Sequence, residues 1–238
     1  MDHRTILLIA AHPDDLEFRS AGSAAVWAKE GRRVEYCLCT SGEKGFNGNG
    51  ARGLLIEQRW AIREAEQRAA AGTLGVHAVH FLRHPDGELV NSPALRRDLV
   101  RIMRRVKPDL VVTGDPSMDA YDSFYGYHSD HRAAAQAAFD ALYPAVGNAN
   151  FFPDLLEEGL EPHRPKEAFF SHPAKADVWV DIAPVFDLKM RALACHRSQI
   201  SEADMAGLIP RMRDWGKKLG ESGGLACAES YRRLEVPE

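Results

Sequence analysis

The feature that most constrains this chain is an alternation of short apolar runs with helix-patterned segments, repeated four times over the first ~140 residues. Thr5–Ala11 is almost wholly apolar and ends abruptly in charge, as a strand does when both its faces are covered. Ser20–Glu30 follows with a helical pattern of small residues, and Gly31 stops it. Val34–Thr40, Val79–Leu82 and Leu110–Thr113 read as further strands. Leu54–Leu74, Pro93–Val106 and Ser129–Leu142 read as the helices between and after them. That order predicts a mostly parallel sheet with helices on both faces, joined by right-handed crossovers.

After Tyr143 the rhythm breaks. Ala168–Ser171 and Asp177–Ile182 read as strands, and Pro184–Arg197 and Met205–Leu219 as helices. The expected fold class is therefore α/β and Rossmann-like, with a small C-terminal extension. Its 238 residues suit one domain, with a core over residues 1–143 and the remainder, 144–238, completing the pocket.

Charge and hydropathy exclude some partners. The formal net charge is −4 and no block of Lys or Arg occurs, which argues against nucleic acid. No apolar run reaches the length of a membrane span, and the start lacks a signal-peptide pattern, so a cytoplasmic location is expected. Cys37 and Cys39 alternate along one strand, and their spacing suits buried small hydrophobes better than a metal or redox pair.

In an open parallel sheet, ligands bind beyond the carboxyl ends of the strands. His12, Asp14 and Asp15 follow the first strand, Ser41 and Glu43 the second, Asp86 the third, and His128, Asp130 and His131 the fourth. His12, Asp15 and His131 supply two imidazoles and a carboxylate, a donor set that holds a catalytic divalent metal with a position open for water. Zinc suits those donors best, though another divalent transition metal is compatible. Asp14 then stands as a base for the water. The competing reading makes each motif a helix-capping turn. A single Asp would favour the cap; two Asp and a His after a buried strand, with a second His–Asp–His cluster downstream, favour the metal site.

The run Ala11-His12-Pro13-Asp14-Asp15-Leu16-Glu17, with His128-Ser129-Asp130-His131 downstream, resembles the LmbE-like (PIG-L) zinc deacetylases. Thr40-Ser41-Gly42-Glu43, Arg63 with Glu66, Asp86-Gly87 and, more loosely, Ser198-Gln199 and Ala228-Glu229 also match that pattern. The resemblance implies zinc on His12, Asp15 and His131, and Asp14 as general base. His128 becomes a general acid or oxyanion stabiliser, with Asp130 orienting it. Arg63, Glu43, Tyr125 and Tyr127 become candidate substrate contacts; Arg63 could instead pair with Glu66 on its own helix. The family's proline between the first His and the Asp of its second motif is Ser129 here, a residue type that caps helices well. A tyrosine found two residues before that motif in some members is Gly126 here, flanked by Tyr125 and Tyr127.

The implied reaction is hydrolysis of the N-acetyl group of an N-acetylglucosamine-type amino sugar. An amidase of thiol–sugar conjugates and a catalytically silent sugar- or metal-binding protein are the alternatives. The loops Glu43–Gly53 and Asp115–Tyr127 are expected to wall the pocket, with Phe46 and Phe124 available to stack on a sugar. His163, His172 and His196 are expected to lie near it. The expected partner is a small amino sugar, and the residues leave a homo-oligomer open.

Overall fold

The protein is described from a computed structural model that covers residues 3–117 and 127–237. Strands β1 (Thr5–Ala10), β2 (Arg33–Thr40), β3 (Ala78–His84), β4 (Leu110–Gly114) and β5 (Glu167–Ser171) pair in parallel, while β6 (Val178–Asp181) and β7 (Ala228–Glu235) close one edge antiparallel. The seven-stranded order is β3-β2-β1-β4-β5-β7-β6. The helices are α1 (Asp15–Arg19), α2 (Ala21–Lys29), α3 (Ile56–Leu74), α4 (Pro93–Val106), α5 (Ser129–Asp140), α6 (Asp154–Glu157), α7 (Phe186–Leu193) and α8 (Glu202–Gly223).

Both faces of β1 are buried, which is why its sequence lacks polar alternation. Ile6 and Leu8 enter a core with Trp27, Leu74, Phe186 and Leu193, from α2, α3 and α7. Leu7 and Ile9 enter the opposite core with Leu95, Leu99 and Met103 of α4 and Ala134, Ala137 and Ala138 of α5. All four β1 side chains are at most 1% exposed, and burying each contributes roughly 1.5–3 kcal/mol.

The strand order reverses between β1, from which the sheet winds outward through β2 and β3, and β4, from which it winds outward to β5 on the other side. That is the switch point where such sheets open a crevice. Alanines let α5 lie close above it: a Cβ on Gly114 would meet the Ala135 Cβ at 3.3 Å. The start of α5 is thereby carried to the end of β1.

Two elements depart from the sequence expectation. The helix expected from Ser20 is preceded by a separate short helix, α1, and Ser20 marks the break between them. Strand β7 was not expected at all, and it lies between β5 and β6. Its Glu229 fixes the start of α2, accepting from Gly22 N at 3.0 Å, Ser23 N at 2.7 Å and Lys189 Nζ at 2.6 Å. Cys37 and Cys39 are fully buried, as expected. Among the described residues no helix is long and apolar enough to cross a membrane.

Candidate active site

The chain leaves β1 into a turn that Asp14 makes with φ of 89°, a left-handed conformation that costs a non-glycine residue energy. Its surroundings hold that turn. The backbone N–H of Asp14 donates to Gln67 Oε1 at 3.0 Å, and Arg63 Nη2 donates to the Pro13 carbonyl at 2.7 Å. Gln67 Nε2 in turn donates to Glu17 Oε1 at 3.0 Å, and His196 Nε2 donates to Glu17 Oε2 at 3.2 Å. Gln67, Glu17 and His196 are all 0% exposed, so this chain of bonds is sealed from water.

His12 lies at the centre of the polar cluster. Its Nδ1 is 3.3 Å from His131 Nε2 and 3.4 Å from Asp15 Oδ2, and His131 Nε2 is 2.9 Å from Asp15 Oδ1. Donors ~2.0–2.1 Å from a tetrahedral ion stand about 3.3–3.4 Å apart, so the two distances from His12 Nδ1 have that spacing, while the His131–Asp15 approach is shorter and uses the other carboxylate oxygen. His128 adds a further imidazole, its ring centroid 5.2 Å from those of both His12 and His131. Three carboxylates, Asp15, Asp86 and Asp130, lie against the His12 ring, negative charge that suits a divalent cation.

The far side of His12 is held by acids. Its Nε2 donates toward Asp86 Oδ1 at 3.1 Å and Asp130 Oδ2 at 3.2 Å. A ring whose Nε2–H is so engaged presents the Nδ1 lone pair to the triangle. Burial disfavours the His12 cation, but Asp130, Asp15 and Asp86 outweigh it and hold its pKa well above the ordinary imidazole value. Asp15 shows the inverse: burial raises its pKa, and His131 and His12 overcome that to hold it well below the usual carboxylate range. For Asp14 burial wins over Arg63, whose Nη2 is 3.7 Å away, and the carboxyl is pushed up to about 6.

Several expectations need correction. Asp130 does not orient His128; its carboxylate reaches His12 and accepts from Gly87 N at 2.7 Å and Leu89 N at 3.3 Å. Successive residues of a helix point ~100° apart, so Asp130 turns into the core while His131 faces the crevice. Ser129 is not the cap of α5. His128 takes that position, its Nδ1 accepting from Asp130 N at 3.2 Å. Neither Asp of the first motif caps α1 with its side chain: Asp14 makes no cap bond, and Asp15 Oδ2 accepts from His12 N at 2.8 Å.

Arg63 does not pair with Glu66, which accepts from Ser198 N and Oγ instead. It is 1% exposed beside Asp14, and its Nε and Nη1 face no acceptor. Glu43 is buried beneath the rim, accepting from Asp86 N at 2.9 Å with Oε1, and serves the β3 turn. Tyr127 is stacked under Arg132, whose guanidinium carbon is 4.4 Å from the ring centre. Tyr125 and Phe124 lie outside the described residues. Of the three later histidines, His196 joins the Asp14 network. His163 bonds the Pro108 carbonyl at the amino end of β4, away from the crevice, and His172 stacks on Trp215.

Sequence reasoning missed Gln67 and Arg19 altogether, and it set His196 near the pocket without the Glu17 bond that gives it a role. Gln67 carried a readable signal. It stands four residues after Arg63 on the buried stripe Arg63–Gln67–Ala70–Ala71–Leu74 of α3, where polar side chains need a purpose.

Histidines and carboxylates gathered at the switch point of a parallel α/β sheet make a candidate catalytic site, and comparison with known proteins specifies the kind. Residues 7–142 match the PIG-L, GlcNAc-PI de-N-acetylase, family model, and the chain belongs to that family. It is 31% identical over 231 residues to the diacetylchitobiose deacetylase of Thermococcus kodakarensis, covering 97% of this chain and 83% of the relative. A 1D-myo-inositol 2-acetamido-2-deoxy-alpha-D-glucopyranoside deacetylase of Rhodococcus erythropolis is 29% identical, with 84% and 82% covered. Among solved structures, the N,N'-diacetylchitobiose deacetylase of Pyrococcus horikoshii superposes with a TM-score of 0.88 at 29% identity, over 98% of this chain and 84% of that one.

Proposed function

We propose that this protein is a metal-dependent N-deacetylase, with zinc as the ion that its donors suit best, acting on the acetamide of an N-acetylglucosamine-type sugar. The observation that carries the reading is the 2.9–3.4 Å triangle of His12 Nδ1, His131 Nε2 and the Asp15 carboxylate beside a raised Asp14. The amino-sugar substrates of the relatives support the substrate class.

His12, Asp15 and His131 are the residues that would hold the ion, which when bound polarises a carbonyl and lowers the pKa of water. Asp14 takes the proton of the attacking water. Burial suits it to that task, because a carboxyl titrating at about 6 accepts a proton near neutral pH more readily than an ordinary one. Arg63 and the Gln67 bond keep the Asp14 turn from relaxing. His128 stands across the cluster with Nδ1 occupied by the Asp130 N–H, so its ring proton is on Nε2. From there it stabilises the negative charge that develops on the carbonyl oxygen, while the proton that Asp14 has taken from the water is the one passed to the departing amine. Burial and the two neighbouring histidines lower its pKa, which keeps the ring neutral and its remaining N–H available as a donor.

The test is amine release from a panel of N-acetylglucosamine derivatives by protein stripped of metal and then given one equivalent of zinc. Zinc-dependent release supports the reading. Release only from bulky thiol–sugar conjugates would replace it with the amidase, and no release with zinc bound would leave a silent binding protein.

A further inference from the structure

The turn after α7, residues 196–200, touches the supports of Asp14 on one side and the rim of the crevice on the other. Its backbone closes it: the His196 carbonyl accepts from Gln199 N at 3.0 Å and from Ile200 N at 2.9 Å. Its side chains are thereby left for other elements. His196 donates from Nε2 to Glu17 Oε2 at 3.2 Å, and Glu17 Oε1 accepts from Gln67, which itself accepts from Asp14 N. The His196 Nδ1 is buried without a partner, so Glu17 is the ring's one hydrogen-bond partner among the described residues.

Ser198 turns all three of its polar groups to other elements. Its N and Oγ donate to the two oxygens of Glu66 on α3, at 2.7 and 2.6 Å. Two charge-assisted bonds to one carboxylate fix orientation as well as distance. Its carbonyl accepts from Asn47 N at 2.8 Å. Close by, the Gln199 amide lies over Gly45, where a Cβ would stand 2.6 Å from its Nε2. The segment held in this way is the rim itself. A Cβ on Gly42 would meet Arg63 Nε at 2.9 Å and Pro13 Cδ at 3.0 Å, and Lys44 N donates to Asp86 Oδ2 at 2.8 Å, beside His12. Arg63, Glu66 and Gln67 lie within about one turn of α3, so one helix meets the Pro13 carbonyl, Ser198 and Asp14 N.

We propose that this turn sets two parts of the site against that helix. His196, through Glu17 and Gln67, holds the turn that carries Asp14, and Ser198, clasped by Glu66, holds the rim segment 42–47 beside it. Both are positioning residues, acting through others. Burial supports the first half: His196, Glu17 and Gln67 are all 0% exposed, so water is not at hand to replace a lost bond. Composition supports the second: five glycines over residues 42–53 leave that loop few side chains of its own to pack. The proposal rests on the deacetylase reading, in which Asp14 is the base.

The test compares zinc-loaded wild type with Ser198→Ala, Glu66→Gln, His196→Leu and His196→Gln. Amine release gives kcat and KM, zinc content is measured, and hydrogen exchange by mass spectrometry follows residues 11–18 and 42–54 without substrate. Ser198→Ala and Glu66→Gln should speed exchange over 42–47 and raise KM about three- to tenfold, with kcat within about twofold of wild type. Combined, they should do little more than the stronger one alone, because they break the same clasp. His196→Leu should speed exchange over 11–18 and lower kcat about tenfold or more with KM nearly unchanged, as a small misplacement of a reacting group does. His196→Gln keeps a side-chain N–H for Glu17 and should recover most of that kcat.

Folded variants with wild-type exchange would overturn the proposal. So would kcat and KM that worsen together in step with stability, or zinc lost in proportion to rate. If His196→Leu does not fold, the Ser198 and Glu66 variants still decide it through exchange and KM. Ser198-dependent protection of residues 42–47 without amine release from any N-acetyl sugar would keep the holding of the rim and remove the deacetylase reading. Amine release untouched by all four substitutions would do the reverse.

Discussion

Replacing Gln67 by leucine isolates the support beneath Asp14, because leucine keeps most of the volume and none of the hydrogen bonds. Gln67 is 0% exposed, accepts from Asp14 N at 3.0 Å and donates to Glu17 Oε1 at 3.0 Å. The substitution leaves a backbone N–H and one oxygen of a fully buried carboxylate without partners. Each orphaned buried group costs about 1–3 kcal/mol, so the loss should be about 2–6 kcal/mol. Against a total stability of ~5–15 kcal/mol that is large. Urea unfolding at constant pH measures it, and the slope should not change. A second signature should accompany it. Asp14 holds φ of 89° only while its N–H is anchored, so kcat should fall more than KM rises while bound zinc stays near one equivalent. A Gln67→Leu protein within ~0.5 kcal/mol of wild type, with unchanged kcat, would refute the anchoring argument.

Other perturbations test other parts of the structure. Asp14→Asn removes the base and keeps the shape; kcat should drop about 10²–10⁴-fold with zinc content unchanged, and a wild-type kcat would take Asp14 out of that role. Gly22→Ala puts a Cβ 2.5 Å from Ile182 Cγ2 where β7 and α2 meet; urea unfolding should show a loss of about 1–3 kcal/mol, and no loss would mean that contact is loose. Glu35 accepts from His80 at 2.7 Å and Arg33 at 2.6 Å. Burial alone would raise its pKa, and these partners hold it below the ordinary carboxylate value. A lowered folded pKa stabilises above the unfolded value and is lost as pH falls through the folded one. Urea midpoints at pH 7 and pH 3 should therefore differ less in Glu35→Gln than in wild type, and an equal difference would exclude this pair from the acid limb.

The five parallel strands and the helices between them were largely legible, and for one reason. Strands buried on both faces read as unbroken apolar runs, and the switch point of such a sheet follows from their order. The His12–Asp15 and His128–His131 segments were legible because charge placed straight after a buried strand is conspicuous. Strand β7 was not. Its first four residues are buried, but Arg232, Arg233 and Glu235 give the segment the look of a polar tail. Its antiparallel place between β5 and β6 is set by partners more than 45 residues away in sequence.

The supports of the site were illegible for a different reason. Asp130 was assigned to its sequence neighbour His128, yet the helix turns its carboxylate into the core, where it reaches His12 118 residues away. His196, Gln67 and Glu17 are polar residue types that composition places at the surface, yet all three are 0% exposed because they satisfy one another. Motifs reveal the atoms that meet a substrate, because those residues must cluster at strand ends. The atoms that hold them in place come from three helices and a turn, and only the packing of the core brings those together. A buried polar residue at helical spacing from a motif residue, as Gln67 is from Arg63, is the one trace that this second layer leaves in the sequence.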